Sequence, residues 1–190
     1  NILPTGSIDR VTSYRSSTGN TWVAWGELRL DLYNSTGVRV NSWTTFELPI
    51  RGIVEYDGET LFATEGGIAR YNEITNTWNT TWYAGNGLPN NAGSRFYELW
   101  TDGSNLVVGG ATCQNWGGFR EGIISHLDAT GSWSSYPADS YSNIADGYPI
   151  SMEMCGGALN VAMYNNNGGI ARIDLANGTV LSGFDRSQLD

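Results

Sequence analysis

Few side chains in this sequence suit covalent or metal chemistry, and their spacing excludes several reactions at once. His126 is the only histidine, so a His-based triad or a multi-histidine metal site cannot be built. Lysine is absent altogether, which removes Schiff-base catalysis. Aspartates and glutamates are scattered along the chain, so a carboxylate pair for glycoside hydrolysis stays open, but no pair stands apart. Asp57, Asp102, Asp128, Asp174 and the run Asn165-Asn166-Asn167 offer oxygen ligands for calcium. They lack the Asp-x-Asp-x-Asp loop with a distal Glu, and they recur where turns recur. No metal or other cofactor is called for.

Binding chemistry has better candidates. The segment from Ala111 to Glu121 holds Gln114, Asn115, Trp116, Phe119 and Arg120, and a tryptophan beside amides suits stacking on a sugar ring. The plainer alternative is that Trp116 and Phe119 fold back over a sheet edge. Asn90 and Asn91 lie in a Gly-Leu-Pro connector and can meet a ligand there, although such residues more often satisfy their own loop. Asn34, Asn79 and Asn177 each begin an Asn-x-Thr glycosylation pattern, a number that chance alone supplies in so Asn- and Thr-rich a chain. Cys113 and Cys155 permit one disulfide. Their places on neighbouring hairpins put them at opposite ends, roughly 15–20 Å apart at strand rise, so two buried free thiols are the alternative.

What must position these residues is a pattern written four times. An X-Pro step, a strand, a Gly turn, a second strand, a Gly, a third strand and an Asn or Asp turn recur in order. The X-Pro steps are Leu3-Pro4, Leu48-Pro49, Leu88-Pro89 and Tyr148-Pro149; the turn glycines are Gly19, Gly58, Gly103 and Gly157. In the second unit strands are expected over Arg51 to Tyr56, Thr60 to Thr64, Ile68 to Tyr71 and Thr77 to Tyr83, with Asp57-Gly58 as hairpin turn. In the first unit the fourth strand is expected over Ser42 to Phe46. Gly66-Gly67-Ile68-Ala69-Arg70-Tyr71-Asn72 returns as Gly168-Gly169-Ile170-Ala171-Arg172-Ile173-Asp174. Strand-rich repeats of about 40 to 50 residues in fixed order predict an all-β, β-propeller-like fold of four four-stranded antiparallel blades with negligible helix. The chain reads as one domain in units of about 1–47, 48–86, 87–147 and 148–190.

The run Asn86-Gly87-Leu88-Pro89-Asn90-Asn91, followed by strand, Asp-Gly turn, strand and Gly-hydrophobic-x-Arg-Tyr, resembles two-component-regulator-type propeller repeats. The resemblance is best in units two and three. That family's strand tryptophan is Phe62, Val107 and Val161 here, and only unit one keeps it, as Trp22. The resemblance implies a propeller that senses or binds extracytoplasmic ligands, often glycans.

A net charge of −9 disfavours nucleic acid and anionic membranes as partners. No apolar stretch approaches 18 residues, so no membrane-spanning helix is expected. Beginning at Asn1 fits a mature or excised piece. Four blades make a whole propeller, half of an eight-bladed one, or a part of a longer array. An open set leaves two unpaired faces, which favours other protein chains or copies of itself as partners, with glycans beside them. The expected function is an extracellular, secreted, non-catalytic interaction or structural module within a larger protein or assembly. The rivals are a polysaccharide-active hydrolase or lyase and the ligand-binding part of a glycan sensor.

Overall fold

In the computed structural model the described residues are 10–26, 29–44, 49–90, 92–113, 120–137, 148–164, 169–177 and 179–185. They form four twisted antiparallel sheets, each a meander in chain order, and no helix is found among them. Blade one comprises β1 (Val11–Arg15), β2 (Thr21–Trp25), β3 (Arg29–Tyr33) and β4 (Arg39–Trp43). Blade two comprises β5 (Gly52–Tyr56), β6 (Glu59–Thr64), β7 (Gly67–Asn72) and β8 (Thr77–Ala84), with a short fifth strand, β9 (Gly87–Leu88). Blade three holds β10 (Arg95–Thr101), β11 (Leu106–Cys113), β12 (Arg120–Leu127) and β13 (Trp133–Pro137). Blade four holds β14 (Tyr148–Cys155), β15 (Ala158–Tyr164), β16 (Gly169–Asp174) and β17 (Thr179–Asp185). The expected all-β propeller architecture is therefore the observed one.

Turn chemistry sets the registers. Asp57 and Gly58 both take positive φ, 50° and 73°, as a two-residue hairpin between Tyr56 and Glu59 requires. Asn34, Asn72, Asp102, Asp128 and Asp174 each turn a side-chain oxygen onto backbone N–H groups two to four residues ahead. Those bonds close the loops without outside help.

Alternation then sorts side chains between two faces, and consecutive blades bury those faces against each other. Trp22, Ala24, Leu30 and Leu32 of blade one meet Ile53, Phe62 and Tyr71 of blade two. Val54, Leu61, Ala63 and Ile68 of blade two meet Phe96, Leu99, Leu106 and Val108 of blade three. Val107, Ile124 and Tyr136 of blade three meet Leu159, Val161, Met163, Ala171 and Ile173 of blade four. Burial on both faces explains why Leu61-Phe62-Ala63 reads as an unbroken apolar run. The first joint is also aromatic: Trp22 lies 4.9 Å from Phe62, edge to face, and 5.5 Å from Trp43, stacked.

Four details depart from expectation. β4 begins at Arg39 and pairs Leu30 with Trp43, because the Asn34 turn closes by Val38 and sends the chain straight back. Blade two has five strands, since Tyr83 and Ala84 pair in parallel with Gly87 and Leu88. Pro149 lies inside β14, opposite Met163 and beside a register shift, on a strand at the edge of its sheet, where proline is tolerated. The ladder between β11 and β12 runs on to Cys113 and Arg120, so the insertion narrows to 114–119.

Gly67 tests this geometry. Its φ is +146°, and a Cβ there would stand 2.6 Å from both Thr81 Cγ2 and Trp82 O. Gly67→Ala should lower unfolding free energy by about 2–4 kcal/mol in urea titration, because both backbone strain and a clash are introduced.

Candidate functional site

The meander gives the array two ends of different character. One, the connector end, gathers the starts of first strands, the ends of second strands and the linkers between blades. Glu65, just after β6, links blades here: Arg51 Nη2 lies 3.0 Å from Glu65 Oε1, and Arg95 Nη1 lies 3.3 Å from Oε2. The Arg51 guanidinium also sits over the Tyr97 ring, 5.4 Å from its centroid. Glu98 lies at the β10 bulge, its Oε1 only 3.3 Å from where a Cβ on Gly52 would stand. Burial pushes its carboxyl up to about 7, against the opposing pull of the Leu99 N–H and of Arg10.

The connector from Gly85 to Ser94 folds onto the same end. Ser94 N–H donates to Ala111 O at 3.0 Å, and Ala92 N–H donates to Pro89 O at 3.0 Å. Asn90 is exposed on this connector. The end of β11 and the start of β12, with Arg120 opposite Cys113, rise from the same place. The structure thus ties the connector that carries Asn90 to β11 at Ala111, two residues before Cys113. Asn91, Gln114, Asn115, Trp116 and Phe119 lie outside the described residues, as do Asn165, Asn166 and Asn167.

The other, hairpin end carries the first-to-second-strand turns. An open cleft of about 550 Å³ lies between the turns of blades one and two, lined by Tyr14, Arg15, Glu55, Tyr56 and Asp57 and reaching Gly103 of blade three. Glu55 accepts from the Ser17 N–H at 2.6 Å and from Ser17 Oγ at 2.5 Å. Glu73 does more. Its Oε2 accepts from Ser16 Oγ at 3.0 Å, Thr18 Oγ1 at 2.5 Å and Asn20 Nδ2 at 2.9 Å; its Oε1 accepts from Trp22 Nε1 at 2.5 Å and Thr60 Oγ1 at 3.0 Å. Burial alone would raise this carboxyl, but the bonds from Thr18, Trp22, Asn20 and Thr60 outweigh it and hold the group below the usual glutamate range. These two carboxylates staple blade one to blade two.

Neither glutamate stands out by composition, and sequence reasoning passed over both. The available signal was a break in the repeat: Glu73 occupies a place held by Ser35, Ala129 and Leu175 in the other units.

The remaining sequence candidates take structural places. His126 is buried, with Nε2 3.0 Å from Asn105 Oδ1, and burial lowers its pKa against the pull of Asp128 and Asp102. Asp102, Asp128 and Asp174 spend their oxygens on their own turns. Among the described residues no three potential metal ligands cluster. Asn34 Oδ1 accepts from Thr36 and Val38 within its turn. Asn79 lies on β8, not on a turn, with its amide donating to Glu59, and Asn177 donates to Asp174 Oδ2 at 2.6 Å. Cys155 is a free, exposed thiol. It lies at the hairpin end, opposite Ala158, whereas Cys113 lies at the connector end, opposite Arg120, so the disulfide is not formed and a buried Cys155 is equally ruled out.

No protein-family model matches this sequence, and no curated protein does either. Solved structures resemble the fold. The chain superposes on the extracellular domain of the putative one-component system BT4673 from B. thetaiotaomicron with a TM-score of 0.67 at 14% identity, over 96% of this chain and 24% of that one. For the extracellular domain of the putative hybrid two-component system BT3049 of the same organism, the TM-score is 0.61 at 18% identity, over 93% and 25%. For the Neurospora crassa Pan2 WD40 domain it is 0.59 at 10%, over 92% and 48%. The chain thus spans about a quarter to a half of these structures, and the likeness shows a shared propeller fold.

The two buried carboxyls make opposite predictions for pH. Glu73, depressed in the folded state, adds stability above the ordinary glutamate pKa that is lost as pH falls through its folded value. Glu73→Ala should cost about 2–4 kcal/mol at neutral pH, by stranding the Trp22 and Thr60 donors, and should flatten the acid limb of a stability–pH curve. Glu98, raised to about 7 from 4.5, costs stability as pH climbs between those values and no more above them. Glu98→Gln should therefore be neutral in urea titrations below pH 4.5 and stabilising by up to about 3 kcal/mol at pH 8.

Proposed function

We propose that this chain is an extracytoplasmic, non-catalytic interaction and structural module, a run of propeller blades that works within a larger protein or assembly. The observation that carries the reading is the open arc. Hydrophobic cores join blades one to two, two to three and three to four, and among the described residues none joins blade four back to blade one. Two sheet faces are thereby left for something else to cover. Likeness to two bacterial extracellular domains supports a place outside the cytoplasm.

Against the hydrolase reading stands the use of the carboxylates at the hairpin cleft. Glu55 and Glu73 are committed to donors of their own chain and hold two blades together. A second reading, the ligand-binding part of a glycan sensor, draws on the same two extracellular domains. Its ligand would arrive at the connector end, where the connector carrying Asn90 is bonded through Ser94 to Ala111 of β11, the strand that leads into the 114–119 insertion.

Incubation with a panel of neutral and acidic polysaccharides separates these readings. The expected result is no release of reducing ends over hours. Any glycan binding, followed by tryptophan fluorescence, should weaken about tenfold in Trp116→Ala and Asn90→Ala, with melting temperature unchanged. Steady release of reducing ends would reverse the non-catalytic assignment.

A further inference from the structure

Blades two and three bury both faces, and the residues that do so recur at fixed places in the repeat. Toward the following blade, Leu30, Ile68 and Ile124 of the third strands are each 0% exposed. Ile170 holds that place in blade four, within the same Gly-Gly-Ile-Ala-Arg run as blade two, yet it is half-exposed. Ala63 is fully buried beside Ile68, whereas its counterpart Ala162 beside Ile170 is not.

Blade one repeats the observation on its opposite side. Toward the preceding blade, Phe62, Val108 and Val161 are buried, and so are Tyr71 and Ile173. The corresponding Val23 and Tyr33 of blade one are half-exposed. Each end of the arc therefore carries apolar side chains at joint positions without the joint, although in blade four Asn160 stands where Trp22, Leu61 and Val107 are buried.

The polar dressing of the two faces is complementary. Asp31 stands where blades two, three and four have Ala69, Ser125 and Ala171. It is fully buried, 2.9 Å from Trp25 Nε1 and 2.9 Å from Arg29 Nε, with Arg39 Nη1 at 3.9 Å. Among the described residues Arg15, Arg29 and Arg39 stand on this face against Asp31, which leaves it two net positive charges. On blade four, Glu153 of β14 and the β16 residues Arg172 and Asp174 share the outward face, leaving one net negative charge.

We infer that the occupant of both faces is a second copy of this chain: blade one of each copy packs on blade four of the other, closing a two-fold ring of eight blades. The inference rests on the reading of the chain as a propeller segment with faces to cover. Both complementary faces are present on every copy, so one rotation satisfies both joints and leaves no open face. The chain matches 48% of the Pan2 WD40 domain, so two copies supply about one such domain. Such a ring would also bring two connector ends, each with Asn90 and Glu98, to one surface.

Sedimentation equilibrium of the 190-residue chain at tens of micromolar tests the ring. The expected particle has twice the chain's 20.7 kDa. Val23→Arg and Ile170→Arg, one on each face, should each weaken association at least about 100-fold while far-ultraviolet circular dichroism stays unchanged. Where either variant fails to fold, Tyr164→Ser, 58% exposed on the blade-four face, carries the same test. A monomeric wild-type chain, a dimer that persists in the variants, or open head-to-tail polymers would each overturn the ring. A monomer would leave the non-catalytic module intact, since that reading is decided by polysaccharide turnover.

Discussion

A four-stranded blade has two faces and can shed water from neither by itself. Everything in this molecule follows from that constraint. Alternation along a strand puts half the side chains on each face, so a blade between two others must be apolar on both. The middle blades obey: Phe62 and Leu61, adjacent in sequence, are both wholly buried, against different neighbours. The end blades obey on one side only, and their outward sides keep Val23, Tyr33, Ala162 and Ile170 at joint positions. A face of that composition is stable as part of an interface and costly as a surface.

Apolar contact alone would let blades slide, since it has no direction. The polar staples supply direction. Glu73 reaches from the outer turn of blade two to donors on the first turn and second strand of blade one, and Glu55 reaches back to Ser17. Trp22 joins both systems: its ring packs on Phe62 and Tyr71 while its Nε1 donates to Glu73. A carboxylate that receives several well-directed donors withstands its own burial, which is why the Glu73 carboxyl is held below the usual glutamate range while Glu98, with one backbone donor, is pushed up to about 7. At the second joint the equivalent task falls to Glu65, ion-paired with Arg51 and Arg95.

Strands and turns were legible in the sequence because they are local. Asp57-Gly58 dictates its hairpin, and the Gly-Ile-Ala-Arg run is a strand in both blades two and four. What escaped was whatever depends on a partner distant in the chain. β9 exists only because Leu88 is drawn into the core between blades two and three. Glu73 is one of nineteen acidic residues until the fold sets Trp22, 51 positions away, against it. The Asn34 turn is legible as a turn, but where β4 begins depends on how its bonds to Thr36 and Val38 return the chain onto β3, and the residue types do not show that.

The same contrast orders the search for a binding surface. At the hairpin end the turns are short, those after the third strands and the Asp102 turn are closed by their own Asp and Asn oxygens, and Glu55 and Glu73 are bound to the preceding blade. Such an end has little uncommitted chemistry, and changing it loosens the joints. The connector end carries one such link, Glu65 between Arg51 and Arg95. Its linkers differ in length, its insertion of 114–119 is confined to one blade, and the ladder beneath that insertion runs unbroken to Cys113 and Arg120. A variable loop on a rigid base can acquire a ligand without costing the fold its joints. The repeat thus specifies the hairpin end more closely than the connector end, where the linkers between blades differ in length.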